Sequence, residues 1–315
     1  MEKVLIILPD NNKGRYISKG YADAFRAMSY FVIEKKIYDL NVDEAKKIKP
    51  DIIFVFWSNM LNNAQLKDFL SAYDVTNTLI INAAELLCDI EPDFRHGENI
   101  LCFTSDAKKK KYRIINAVKP EIYKRKSTDF KYIITFSGNP ATDERETLLS
   151  ELIYNFGIIN IFCRSYDFYK SVDEIYKKKL LDDKYIDLYR ESYRGYVESQ
   201  KELSYIYSHS KINIDMKSFK EKNINYRCME ITASGGFLIA PYNKTIVKYF
   251  EDGKEFETYK TGFELIDKIR FYLKNTNLAL MIAAKGKRNT ISNHSFHDRL
   301  KLILKVANDK DSCSR

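Results

Sequence analysis

The sequence lacks a hydrophobic run long enough to cross a membrane, a C-x-x-C pair, a P-loop and a short-period repeat. Each absence excludes a class. The five cysteines, Cys88, Cys102, Cys163, Cys228 and Cys313, are odd in number and scattered, so neither a zinc cluster nor a disulfide framework is expected. A reducing, cytoplasmic setting fits that usage best. The apolar run at residues 4–8 ends at Pro9 and Asp10. That is too short for a secretion signal or a span, and it reads as a buried first β-strand. No glycine is followed by Lys-Ser or Lys-Thr at phosphate-loop spacing. The single D-x-D, Asp309-Lys310-Asp311, falls in a tail that reads as frayed, so nothing requires a divalent metal.

The chain has 315 residues, 45% hydrophobic and 30% charged, which is the balance of a folded protein and long enough for two domains. Its net charge of +9 makes the surface attractive to polyanions. A nucleotide diphosphate, nucleic acid and peripheral contact with an anionic membrane are all compatible with that sign. Basic runs at residues 108–111 and 177–179 read as solvated surface, and the 23 tyrosines fall at core or helix-face spacing rather than as a base-stacking pattern.

Along the chain, apolar runs alternate with helical periodicity. Strands are expected at residues 4–8, 31–33, 52–57, 79–81 and 100–103, with helices at 16–28, 43–48 and 63–73. Uninterrupted apolar runs such as 52–57 suit parallel strands covered on both faces. Residues 1–118 thus read as one Rossmann-like domain, followed by a charged, proline-containing linker at 119–130. A second alternation fills 131–290, with strands at 132–136, 158–162, 211–216 and 237–239 and helices at 146–156, 199–209, 226–233, 264–273 and 278–289. A last helix, 296–307, lies in a C-terminal segment of residues 291–315. The expected fold class is α/β, two Rossmann-like domains.

Two segments of the second domain can carry chemistry. Arg227 and Glu230 are three apart near the start of a helix, so they share a face where the helix end favours an anion. A diphosphate would meet the guanidinium, and a carboxylate one turn later could accept from a ribose diol. A solvated i, i+3 ion pair is the plain alternative. Gly235-Gly236 reads as the cap of the same helix. The second segment, residues 136–147, is the loop after the domain's first strand. Gly138 would admit close approach of a ligand, and Arg145 would bring a second cation to the helix entrance; a turn with a solvated arginine is the alternative. In the first domain, the loop containing Gly14 and Arg15 would bear on the sugar or acceptor.

The stretch from Arg227 to Arg299, with Glu230, Ala233-Ser234-Gly235-Gly236-Phe237-Leu238, Phe250-Glu251-Asp252-Gly253, Ala283-Ala284-Lys285-Gly286 and His294, resembles the C-terminal domain of the CgeB-type (spore maturation protein B-like) glycosyltransferases. Tyr193-Arg194-Gly195-Tyr196-Val197, Ile212-Asn213-Ile214-Asp215 and Lys13-Gly14-Arg15-Tyr16 extend the likeness over most of the chain. Arg145-Glu146 and Arg227-x-x-Glu230 are more distantly similar to donor-site motifs of the phage β-glucosyltransferase that modifies hydroxymethylcytosine in DNA. These resemblances imply a GT-B fold, two Rossmann-like domains facing a cleft with the C-terminal helices packing back toward the first. They also imply a UDP-sugar as donor substrate with no tightly bound cofactor.

By that resemblance Arg145 and Arg227 hold the diphosphate and Glu230 the ribose. The glutamate that many retaining GT-B enzymes carry eight positions earlier is replaced by Lys222, with Glu221 one place out of register, which leaves inversion and retention both open. For inversion a carboxylate must take the acceptor proton; Glu85 is the candidate, followed by Asp89 and His96. The expected activity is transfer of a hexose to an acceptor hydroxyl of a cell-surface glycan, glycolipid or protein. Modified DNA as acceptor is one alternative. A non-catalytic nucleotide-binding or coat-structural GT-B protein is another.

Overall fold

The structure, a computed structural model, describes residues 1–9, 12–55, 63–73, 78–84, 100–104, 116–123, 129–216 and 224–313. The chain divides into two compact units, Met1–Lys119 with His294–Arg315, and Pro120–Asn293.

The first unit contains β1 (Lys3–Leu8), α1 (Asn12–Ala27), β2 (Phe31–Lys36), α2 (Val42–Ile48), β3 (Ile52–Val55), α3 (Asn63–Ala72), β4 (Leu79–Ala84) and β5 (Ile100–Thr104). The strands form one parallel sheet in the order β2-β1-β3-β4-β5. Alternation sorts their side chains. Val4, Ile6, Ile52, Phe54 and Ile81 pack against α1, whereas Leu5, Ile7, Ile53, Val55 and Ile80 pack with Leu66, Phe69 and Leu70 of α3. Both faces are apolar and buried, which explains why these strands read as continuous hydrophobic runs.

The second unit contains β6 (Tyr132–Ser137), α4 (Asp143–Phe156), β7 (Asn160–Phe162), α5 (Ser165–Lys177), α6 (Asp183–Glu191), α7 (Gln200–Ser208), β8 (Ser210–Ile214), α8 (Tyr226–Ser234), β9 (Leu238–Pro241), β10 (Glu257–Tyr259), α9 (Gly262–Lys274) and α10 (Thr276–Asn293). Its sheet is parallel, in the order β10-β9-β8-β6-β7. Ile134, Phe136, Ile212, Ile214 and Ile239 pack into one core with Leu149, Leu152 and Ile153 of α4, Phe168 and Val172 of α5 and Leu265 and Ile269 of α9. The alternate residues of β6 and β8 are polar yet buried: Thr135, Ser137 and Asn213. Their bonds are made inside, Ser137 Oγ with Tyr207 Oη at 2.5 Å and Asn213 Nδ2 to the Tyr207 carbonyl at 3.0 Å.

The last helix, α11 (Phe296–Cys313), belongs to the first unit, where Phe296, Leu300, Ile303 and Leu304 join the α1 side of the core. Gly20 of α1 is required there, because a Cβ would stand 2.3 Å from the Phe296 ring.

Some expectations change. Residues 12–14, expected in a loop, open α1, so Gly14 and Arg15 sit in its first turn. Glycine is tolerated in a first turn, where it is less costly than mid-helix. Helix α4 starts three residues earlier than expected, with Asp143, Glu144 and Glu146 favoured at its positive end. Helices α5 and α6 and strand β10 were not foreseen. Among the described residues no helix is long and apolar enough to cross a membrane.

Candidate functional site: two arginines at a sheet switch point

In the second unit the chain leaves β6 toward β7 on one side and returns to β8 on the other. Connections after β6 and β8 therefore diverge at their carboxyl ends, which opens the crevice where open α/β sheets bind ligands. Expected residues Gly138 and Arg145 follow β6; Arg227 and Glu230 follow β8.

β6 ends at Ser137, and Gly138 takes φ 141°, a conformation restricted to glycine. A Cβ at this position would lie 2.1 Å from Arg227 Nη2, so the glycine lets the guanidinium pass against the backbone. Arg145, in the first turn of α4, donates from Nη1 to the Asn139 carbonyl at 2.7 Å and from Nε to the Met216 carbonyl at 2.8 Å. It thereby ties the loop after β6 to the loop after β8. None of the described ion pairs includes Arg145.

Arg227 is held differently. Its Nη1 donates to Asp215 Oδ1 at 2.6 Å, with the Arg227 side chain 14% exposed and that of Asp215 2%. Asn225 caps α8 by accepting from the Arg227 amide at 3.3 Å. Both guanidinia stand over the Phe136 ring, Arg227 at 5.2 Å and Arg145 at 6.0 Å from its centroid. Glu230, one turn on, is buried at 6% exposure. Gly235, at φ 74°, caps the helix as expected. The plain alternative, a solvated surface pair of Arg227 and Glu230, is therefore excluded by the burial of Glu230 and the low exposure of Arg227.

The electrostatics follow from burial and proximity. Desolvation lowers the pKa of Arg145, the like charge of Arg227 adds to it, and Asp215 offsets only part. Burial also disfavours charged Arg227, but Asp215, helped by Tyr207, Cys228 and Glu230, outweighs it, and the guanidinium ends above its ordinary value. Tyr207, buried beneath, is pushed up by desolvation and then by Glu230. The arrangement is two desolvated, fixed cations, one of them without a contacting carboxylate among the described residues. An anion with several acceptor oxygens is what such a pair can bind.

Asp215 was missed as a site residue. The signal was present, an apolar parallel strand ending in a carboxylate at Ile212-Asn213-Ile214-Asp215. In the first unit Arg15 donates from Nε to the Pro9 carbonyl at 3.2 Å. Glu85, Asp89 and His96 lie outside the described residues, as do Glu221 and Lys222. Among the described residues no group of His, Cys, Asp or Glu is arranged to hold a metal ion.

Residues 159–305 match the model of a family described as glycosyl transferase-like, a span that includes Asp215, Arg227 and Glu230. No curated protein matches the chain. Solved structures do. Sucrose-phosphate synthase from Thermosynechococcus elongatus aligns with a TM-score of 0.72 at 9% identity, covering 99% of this chain and 100% of that one. An alpha-glucosyltransferase in complex with UDP and a mismatch-containing 13-mer DNA aligns at 0.70 with 11% identity over 98% and 100%. The Anabaena protein HepE in complex with UDP-glucose aligns at 0.63 with 12% identity over 99% and 100%. Residues 159–305 are thus similar to a glycosyl transferase-like family, and the chain has the fold of GT-B glycosyltransferase structures.

Proposed function

We propose that the protein is a glycosyltransferase that moves a hexose from a UDP-sugar to an acceptor hydroxyl. The observation that carries this reading is the pair of desolvated guanidinia, Arg145 and Arg227, packed on one ring at the switch point of the second sheet. As the bond to the sugar breaks, negative charge accumulates on the departing diphosphate. Fixed cations in a water-poor site stabilise that charge without reorganising. Gly138 leaves room at the backbone, and Glu230 accepts hydrogen bonds from the ribose diol. HepE with UDP-glucose and the alpha-glucosyltransferase with UDP support uridine as the nucleoside.

The acceptor side rests on the sequence alone: Glu85 as catalytic base, with Gly14 and Arg15 at the sugar or acceptor. Residues 1–118 are assigned to the acceptor and 131–290 to the donor. A cell-surface glycan, glycolipid or protein is the acceptor implied by the CgeB-type resemblance, and scattered cysteines favour the cytoplasm. DNA is a second reading, favoured by the net charge of +9 and by the alpha-glucosyltransferase found with DNA. Duplex binding that falls steeply with salt would support it.

The test is release of UDP from UDP-glucose, with water as default acceptor, alongside calorimetric titration with UDP. Turnover that disappears in Arg227→Gln and Glu85→Gln, with UDP affinity lost only in the former, is expected. UDP binding without turnover would identify a non-catalytic nucleotide binder. Equal UDP affinity in wild type and Arg227→Gln would overturn the donor site.

A further inference from the structure

We infer that Asp215 is the positioning residue that sets Arg227 for the donor diphosphate, an inference that rests on the donor-site reading above. A carboxylate beside a phosphate site is paradoxical, since it repels the ligand. Its contacts explain its presence. Asp215 Oδ1 accepts from Arg227 Nη1 at 2.6 Å and from Asn225 Nδ2 at 2.9 Å, and Oδ2 accepts from Cys228 Sγ at 3.4 Å. All three donors belong to the cap and first turn of α8. One carboxylate thus fixes both the guanidinium and the helix end that carries it.

Asp215 is itself fixed to the sheet. Its amide donates to the Ile239 carbonyl at 3.0 Å, continuing the β8–β9 pairing, and its carbonyl accepts from Tyr259 Oη at 3.1 Å. At 1% exposure it has no rotational freedom to spend. The Phe136 ring and the Gly138 backbone then confine the guanidinium from two further sides. An unconfined arginine would lose its rotamer freedom on binding UDP; here it is ordered beforehand, which saves that cost at the moment of binding.

The sign of one substitution separates positioning from mere charge. If Asp215 only repelled the ligand, Asp215→Asn would tighten UDP. If it positions Arg227, the isosteric amide loosens UDP about tenfold or more, as loss of one member of a buried charged pair does. Uridine, which has no phosphate, serves as the control for an intact nucleoside site.

Calorimetry with UDP and with uridine on wild type, Asp215→Asn, Arg227→Gln and the double variant completes the test. Expected are loss of UDP affinity in Asp215→Asn, uridine affinity within about twofold of wild type, and no further loss when Asp215→Asn is added to Arg227→Gln. UDP affinity retained or raised in Asp215→Asn overturns the inference, as does an equal loss for uridine or an equal loss in the Arg227→Gln background. Should Asp215→Asn fail to fold, Asp215→Glu keeps the charge and displaces the guanidinium by roughly one bond length, enough to weaken UDP about tenfold. Wild-type UDP affinity in Asp215→Glu would then overturn it. Unchanged UDP binding in Arg227→Gln, by contrast, sinks the donor-site reading itself.

Discussion

The two units use one strand order twice, β2-β1-β3-β4-β5 and β7-β6-β8-β9-β10, yet fill it with different chemistry. In the first, alternate residues of β1 and β3 bury apolar side chains on both faces. In the second, β6 and β8 bury an apolar face and a hydrogen-bonded one, with Thr135, Ser137 and Asn213 leading up to Asp215. Hydrogen bonds between buried polar groups are directional. The polar face therefore fixes the end of β8 to a degree that dispersion alone would not. A shared topology supplies the crevice, and the side chains at its rim decide whether it becomes a charged site.

The comparison can be broken most forcefully at Arg227. Arg227→Gln should reduce UDP affinity by roughly 100-fold, about 3 kcal/mol for charge-assisted bonds lost, when measured by calorimetry. Arg15→Gln, in the first helix of the first unit, should leave UDP affinity within about twofold while lowering turnover. Equal effects of the two would erase the distinction between the units.

Gly138→Ala comes next. The added methyl group meets Arg227 Nη2 and forces φ 141° on a residue with a Cβ. Strain of about 1–3 kcal/mol is expected, read as a lower thermal midpoint together with weaker UDP binding. Glu230→Ala should cost UDP about tenfold and abolish discrimination between UDP and 2′-deoxy-UDP, as removal of a hydrogen bond to a charged acceptor does. Wild-type discrimination in that variant would remove the ribose role.

The smallest expected effect on the ligand is at Gly20. Gly20→Ala drives a methyl into Phe296 and should destabilise the first unit by about 1–3 kcal/mol through overpacking. UDP affinity of the folded protein should stay unchanged.

Much of this was legible in the sequence because the physical signal was local. Runs such as Ile52-Ile53-Phe54-Val55 announce parallel strands covered on both faces, and they are so covered. The glycine cap at Gly235 was legible from the helix pattern alone. Helix α5 escaped notice because its core residues, Phe168, Val172 and Ile175, are interleaved with the exposed tyrosines Tyr166, Tyr169 and Tyr176, which blur the polar face. Strand β10 has three residues and no apolar run; buried Glu257 is matched there by Lys268 at 2.8 Å and Tyr272 Oη at 2.5 Å. At the site, Arg145, Arg227, Glu230 and Gly138 were readable as residue types at helix and loop positions. Asp215 was readable as a carboxylate at a strand end but not as a site residue, because its role lies in a contact with Arg227, twelve positions on, that only the folded chain creates.

The most direct test of the central claim is diffraction from crystals of the protein soaked with UDP. Diphosphate oxygens are expected within hydrogen-bond distance of both Arg145 and Arg227, with the ribose hydroxyls on Glu230 and Arg227 still paired with Asp215. UDP bound elsewhere, or a diphosphate that touches neither arginine, would contradict that claim.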